Sequence, residues 1–348
     1  MSTPQTIRVS LLGGTGYGGA ELLRHLLVHP GVEVVRVGAA DNIGKRIDSV
    51  HQSLLGRTDL VFQELTPRQV AEGVDLVFLG VPHKVAAGLV GELVPTGVRI
   101  IDLSGDFRLL DAAQYAEYYG AKHPHPELLG TFVYGLPEVN REAIRTAKYV
   151  ASPGCFATCI ELALLPAARA GMLKDARVRI VGMTGSSGSG QTPQMGTHHP
   201  IRHSNLKAYK PLSHQHLPEI VQVLEGQGAR SLTLDFVPVS APLSRGILAV
   251  AFIEAPAGFD DKQANALLSE TYRGEPFVRV TTDRLPEVNA VKGSMYVEVG
   301  GHVENGTWAV LSAIDNLVKG GAGQAIQSMN LMTGWPETQG LDAPALWP

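Results

Sequence analysis

The stretch IRVSLLGGTGYGGAELLRHLLVHP, residues 7–30, narrows the folding options of this 348-residue chain more than any other. It begins with a short apolar run, Ile7–Gly14, of the kind that becomes a buried strand. From Gly16 the period changes: Leu22, Leu23, Leu26 and Leu27 share one face of a helix, and Pro30 lies beyond its end. Gly13, Gly16 and Gly19 join the two, a variant of the glycine fingerprint of dinucleotide-binding strand–loop–helix units. Glycines permit the tight turn and let backbone N–H groups approach a pyrophosphate at the helix N-terminus. Gly13, Gly14, Thr15, Gly16, Tyr17 and Gly18 are therefore candidate cofactor contacts, the alternative being a merely structural turn.

A second strand signal, VEVVRVGAA (32–40), leads into Ala40 and Asp41. An acidic residue near this point often binds the ribose hydroxyls of NAD; the other reading is a solvated loop aspartate. VDLVFLGVP (74–82) and VRIIDLSGDF (98–107) continue the alternation of strands and helices, which predicts a Rossmann-type, doubly wound parallel sheet. After about residue 150 the strand signals lengthen and several alternate polar with apolar: 176–187, 229–242, 246–255 and 295–315. Asn305-Gly306 sits between two such runs as a hairpin signal. The expected architecture is α/β: a dinucleotide-binding domain over 1–153, completed by a helical C-terminal segment 315–348, and an α+β substrate and oligomerisation domain over 154–314 with a mostly antiparallel sheet.

Composition excludes some classes. Net charge is −4, which argues against a general nucleic-acid binder. No window approaches ~18 uninterrupted apolar residues, so no membrane partner is expected. MSTPQTIRVS lacks the apolar core of a signal peptide, and two cysteines cannot build a disulfide framework. A cytoplasmic location follows as an expectation.

Those cysteines lie in ASPGCFATCIELALL (151–165). Cys155 follows Pro153-Gly154 at the start of an apolar helix that Pro166 would end or kink. A helix N-terminus stabilises a thiolate, which makes a nucleophile. Cys159, one turn deeper, reads as a small buried hydrophobe. A buried structural role for Cys155, a redox pair or a metal half-site remain alternatives, although the spacing suits neither a disulfide nor zinc. His214 and His216 precede a proline-initiated helix, and His198, His199 and His203 lie upstream. One of them acting as acid/base is preferred, and no metal site is expected. The loop GSSGSGQ (185–191), with Ser187 and Gly188, can offer amides to a phosphate or a nicotinamide. Arg108 and Arg245 are candidate clamps for a carboxylate or phosphate, or else surface ion pairs.

GGTGYGGAELLR, LSGDFRL, SPGCFAT, HQHLPEI, RGIL and DNLVKGGAGQA, in this order, resemble the N-acetyl-gamma-glutamyl-phosphate reductase family, within the aspartate-semialdehyde dehydrogenase superfamily. The resemblance runs nearly end to end. It implies NADPH-dependent reduction of an acyl phosphate to a semialdehyde through a cysteine thioester, and an enzyme that is a homodimer or homotetramer. By the same resemblance Cys155 is the nucleophile and His216 the acid/base, with Glu219 orienting it or touching substrate. Gly154 and Cys155 supply oxyanion donors, Arg108 and Arg245 lie in substrate-binding segments, and Asn316 lies on the nicotinamide side. GAADNIGKR (38–46) departs from the Ser/Arg pattern that suits a 2′-phosphate, so NAD is the alternative to NADP, although Lys45 and Arg46 could still reach a phosphate. THHPIRHSNLKAYKPLSHQH (197–216) and GWPETQGLD (334–342) resemble the subgroup that reduces carrier-linked aminoadipyl phosphate. Its basic residues Arg202, Lys207 and Lys210 would suit an acidic amino-group carrier protein. A non-catalytic dinucleotide-binding regulatory protein is the third reading.

Overall fold

A computed structural model describes residues 5–347, and the chain divides into two compact units. The first holds the chain up to Gly154 together with Gly321–Asp342; the second holds Cys155–Gly320 and the residues from Ala343 on. The boundaries differ from the sequence-based ones, since residues 315–320 and 343–347 group with the second unit. Two bonds tie these residues there: Asp315 binds Arg245, and the Leu346 N–H donates to the Lys292 carbonyl at 3.1 Å.

Among the described residues the first unit carries β1 (Ile7–Leu12), β2 (Val32–Gly38), β3 (Phe62–Gln63), β4 (Leu76–Leu79), β5 (Arg99–Asp102), β6 (Val133–Tyr134) and β7 (Tyr149–Ala151). Their order is β3-β2-β1-β4-β5-β7-β6, and every neighbouring pair is parallel. β1 and β4 show why the sheet is sandwiched. Val9, Leu11, Leu76 and Phe78 are buried together with Leu12, Val77 and Leu79 on the opposite face, so both faces need cover. The chain runs outward from β1 through β2 to β3, then restarts beside β1 at β4. Strand order therefore reverses between β1 and β4, and such a switch point opens a crevice at the C-terminal strand ends. The glycine loop leaves β1 at that end and enters the helix Tyr17–Leu26. The tail forms one π turn, Val318–Ala322, broken at Gly321, and then the helix Gly323–Thr333. That helix packs on Tyr17–Leu26 and on Pro137–Thr146. Gly31 admits the Trp335 ring, since a Cβ there would lie 2.0 Å from its Cζ2.

The second unit carries β8 (Arg177–Thr184), β9 (Lys207–Ala208), β10 (Thr233–Ser240), β11 (Ile247–Glu254), β12 (Val278–Val280), β13 (Val297–Glu304) and β14 (Thr307–Ile314), in the order β12-β13-β14-β11-β8-β10-β9. The β8–β10 and β12–β13 pairs are parallel and the other four antiparallel. Asn305 and Gly306 turn the β13–β14 hairpin with φ of 49° and 71°, the positive pair that a two-residue turn needs. The helix Cys155–Arg169 lies on β11 and β14, and the helix Leu217–Glu225 packs on it and on β10. Of the two outcomes expected at Pro166, it does not end the first helix, which continues to Arg169. Proline at this position deprives the Leu162 carbonyl of its helical donor, and the buried Tyr272 hydroxyl donates to that carbonyl instead.

Candidate active site

Cys155 is the first residue of its 15-residue helix and is partly exposed. The first-turn N–H groups of a helix have no intrahelical partner and face an anion favourably, so a thiolate here is stabilised by its position. Gly320 presses on it: a Cβ built there would stand 2.8 Å from the Cys155 Cβ and 3.2 Å from its Cα. Gly320 lies four residues beyond Asn316 in the motif DNLVKGGAGQA. Cys159, one turn on, is fully buried. Burial pushes its thiol up to about 12, and its S–H donates to the Ser312 carbonyl at 3.3 Å.

Phe156 brings the histidine turn to the cysteine helix. Its ring meets His214 at 5.6 Å, His216 at 6.5 Å and Phe236 at 5.1 Å between centroids. Gly182 on β8 makes room, since a Cβ there would lie 2.6 Å from the Phe156 ring. His216 precedes the helix Leu217–Glu225, and Pro218 and Glu219 occupy its first turn. Glu219 Oε1 lies 3.7 Å from His216 Nε2, and both side chains are buried. His214 Nδ1 accepts the His216 backbone N–H at 3.2 Å. Burial, reinforced by Lys210, lowers the His214 pKa to about 4, so this ring is a neutral brace for the turn. Tyr209, which sequence reasoning passed over, also belongs here. Burial raises its pKa, and negative charge on Cys155 raises it further while Arg202 opposes. The Tyr209 ring meets the His214 ring at 6.0 Å between centroids.

Both arginines have partners within the chain. Arg245 places Nε and Nη2 on the two oxygens of Asp315, each at 2.9 Å. Asp315 is fully buried and also accepts the N–H groups of Gly293, Leu317 and Val318. Arg108 is buried in the first unit, with Nε on the Ser152 carbonyl at 2.8 Å and Nη2 on the Leu103 carbonyl at 2.9 Å. It therefore braces the strand end that leads through Pro153 and Gly154 to Cys155. Ser187, Gly188 and Asn316 do come together: Asn316 Nδ2 donates to Ser187 Oγ at 3.0 Å, and a Cβ on Gly188 would lie 3.8 Å from that nitrogen. Asn316 Oδ1 accepts the Gly246 N–H at 2.7 Å, which fixes the amide orientation.

In the first unit Gly13 adopts φ 86°, and a Cβ on it would lie 2.3 Å from the Gly80 carbonyl oxygen. The N–H groups of Gly13 and Gly14 both donate to the Gly38 carbonyl at 3.0 Å, so these two shape the loop rather than offer donors. The donors left to an anion are those of the first helical turn, from Tyr17 on, behind Gly16, which caps the helix without a side chain. Nothing lies within 4 Å of a Cβ placed on Gly18, and the first turn holds no acidic residue. This cradle fits a pyrophosphate. Thr15 Oγ1 donates to Asp41 Oδ1, which pins Asp41 against the loop; Ala40 is exposed beside it. Among the described residues no group of three or more His, Cys, Asp or Glu is placed to hold a metal ion.

A parallel sheet with a glycine cradle at its switch point, joined to a sheet unit with a cysteine at a helix N-terminus, defines the class of semialdehyde dehydrogenases. Residues 8–147 match the family described as "Semialdehyde dehydrogenase, NAD binding domain", and residues 155–316 match "Semialdehyde dehydrogenase, dimerisation domain". Similar curated proteins include N-acetyl-gamma-glutamyl-phosphate reductases of Magnetococcus marinus (39% identical, 99% of each chain covered) and Symbiobacterium thermophilum (42%, 97% of each). A Thermomicrobium roseum protein assigned as a LysW-L-2-aminoadipate 6-phosphate reductase is 41% identical over 98% of this chain and 99% of its own. The chain belongs to the N-acetyl-gamma-glutamyl-phosphate reductase family. Among solved structures, aspartate semialdehyde dehydrogenase II of Vibrio cholerae shares the fold with a TM-score of 0.71 at 18% identity, over 94% of this chain and 98% of that one. The Candida albicans aspartate semialdehyde dehydrogenase with NADP gives 0.66 at 16% identity, over the same shares.

Proposed function

We propose that this protein is an oxidoreductase that converts N-acetyl-gamma-glutamyl phosphate to N-acetyl-glutamate semialdehyde with release of phosphate. The observation that carries the reading is Cys155, partly exposed at a helix N-terminus, packed through Phe156 against the His216–Glu219 pair. The Cys155 thiolate attacks the acyl carbon, a C–S bond forms, and phosphate leaves with the electrons of the C–O bond. The N–H groups of Gly154 and Cys155 stabilise the oxyanion of the tetrahedral intermediate. The glycine loop would hold a reduced nicotinamide dinucleotide, which would supply a hydride to the thioester carbon, and Ser187, Gly188 and Asn316 are the residues assigned to the nicotinamide side. His216, oriented by Glu219, protonates the resulting alkoxide and later takes that proton back as the C–S bond breaks and the aldehyde leaves. Arg108 and Arg245 serve by holding the loop before Cys155 and the turn at Asp315.

Two measurements test this: the reverse reaction with N-acetyl-glutamate semialdehyde, phosphate and oxidised cofactor, and alkylation at pH 8 followed by mass spectrometry. One adduct is expected, at Cys155, because the Cys159 thiol stays protonated at that pH. Full turnover by Cys155→Ser would eliminate the thioester route. Absence of turnover with intact cofactor binding would favour a regulatory dinucleotide-binding protein.

The second reading, reduction of a carrier-linked aminoadipyl phosphate, is favoured by the Thermomicrobium roseum relative. The basic loop supports it less than its sequence suggests. Arg202 turns inward onto Ser240 Oγ and the Thr184 carbonyl, which leaves Lys207 and Lys210 exposed. Assaying both acyl phosphates side by side separates the two. The chain further acts as a homodimer in this proposal, closed through the open apolar face of the second sheet. There Val181 of β8 and Phe252 of β11 remain 38% and 43% exposed. Among the described residues no helix is long and apolar enough to cross a membrane, and a reactive free thiol suits the reducing cytoplasm.

A further inference from the structure

We infer that Asp41 makes the glycine loop discriminate against a 2′-phosphate, so that the chain takes NADH in preference to NADPH; the inference rests on the dinucleotide reading above. Asp41 stands three residues beyond the last residue of β2, Gly38, and Thr15 of the glycine loop donates to its Oδ1. In a strand–loop–helix unit of this kind the adenosine ribose lies beside the end of the second strand. The carboxylate is thus fixed where it meets the ribose. Its other oxygen accepts Asn42 Nδ2 at 3.2 Å, so both bonded donors are neutral. A carboxylate has about four lone-pair sites, which leaves acceptors for the ribose hydroxyls. A 2′-phosphate brings no donor when ionised and adds about −1.5 to −2 of charge against a fixed anion.

The neighbouring cations each have a partner of their own, and none is bonded to Asp41. Arg46 holds Asp48 with Nε at 3.0 Å and Nη2 at 2.9 Å, and Asp59 with Nη1 at 2.6 Å. Lys45 Nζ donates to Asn42 Oδ1 at 2.9 Å, and His51 Nε2 bonds the Gly14 carbonyl at 2.8 Å. A built 2′-phosphate pocket would aim a cation at the ribose; here a carboxylate occupies that place.

The test is binding rather than turnover. Calorimetric Kd values for ADP-ribose and 2′-phospho-ADP-ribose, and fluorescence Kd values for NADH and NADPH, are compared for wild type, Asp41→Ser and Lys45→Ala. Wild type should bind the phosphorylated partner of each pair at least about tenfold more weakly. Asp41→Ser should collapse the ratio by tightening the phosphorylated ligand, and Lys45→Ala should leave the ratio as in wild type. Tighter binding of the phosphorylated ligands by wild type, or an unchanged ratio in Asp41→Ser, overturns the inference. A folded wild-type protein that binds none of the four ligands would instead remove the dinucleotide reading, and this inference with it.

Discussion

Replacing Gly320 by alanine should damage the thiol site without unfolding the protein. Its φ is not positive, so alanine meets no backbone penalty there. The trouble is contact. The new methyl would sit 2.8 Å from the Cys155 Cβ, 3.2 Å from its Cα and 3.2 Å from Ile314 Cδ1. Carbon atoms prefer about 3.5–4.0 Å, so two of these contacts require Cys155 itself to retreat by several tenths of an ångström. Ile314 can give way by rotating; a helix-terminal backbone cannot. Overpacking of this kind costs about 1–3 kcal/mol. Misplacing a reacting atom by ~1 Å costs on the order of a hundredfold in rate, so a shift of a few tenths should cost roughly three- to tenfold in kcat/KM. The reverse assay gives kcat/KM, a melting curve gives stability, and the iodoacetamide rate at Cys155 reports the thiolate without substrate. Gly88→Ala is the control. Gly88 is exposed in the helix Val85–Leu93 with nothing within 4 Å of an added Cβ, and alanine there should stabilise by about 0.5–1 kcal/mol. Wild-type kcat/KM and alkylation rate in Gly320→Ala would refute the close-contact argument.

Two further outcomes follow from buried groups. Tyr272→Phe strands the Leu162 carbonyl and should cost about 1–3 kcal/mol in thermal melts, whereas Tyr272→Phe with Pro166→Ala restores a helical N–H to that carbonyl and should recover most of the loss. Asp102 at the end of β5 is wholly buried, and burial raises its pKa to about 7 despite two bonds from Ser104. The folded protein then holds a proton that the unfolded chain has released, so stability falls as pH rises from about 4 towards 7. Asp102→Asn should flatten that slope in denaturant titrations at pH 5 and pH 8; an unchanged slope would place the titrating group elsewhere.

The long elements could be read from the chain because their signal is local. β1, β2, β8, β10, β11, β13 and β14 each span six to eight residues of apolar or alternating pattern. β3, β6 and β9 have two residues each, and β7 has three, too few to show any period. They form because partner strands already in place offer a ladder to join. Pro166 stays inside its helix for a related reason. Proline breaks a helix when the carbonyl it abandons goes unmet, and here the donor that meets it lies 110 residues away.

The site divides along the same line. Cys155 and the His214/His216 pair stand out in short motifs on their own residues, whereas the choice of His216 and the part given to Glu219 rest on the family resemblance alone. Packing neighbours come from farther along the chain: Gly320 stands against Cys155, and Phe236 meets the Phe156 ring. Arg245 shows the limit most clearly. An arginine at a strand start reads as an anion clamp, and a bidentate clamp is what it forms. But its anion is Asp315, 70 residues on, whose oxygens also gather three backbone N–H groups. A buried carboxylate with that many donors needs a cation, and the arginine supplies it. Arg245 therefore fixes the turn that carries Asn316 and Gly320, the one bonded to Ser187 and the other packed on Cys155.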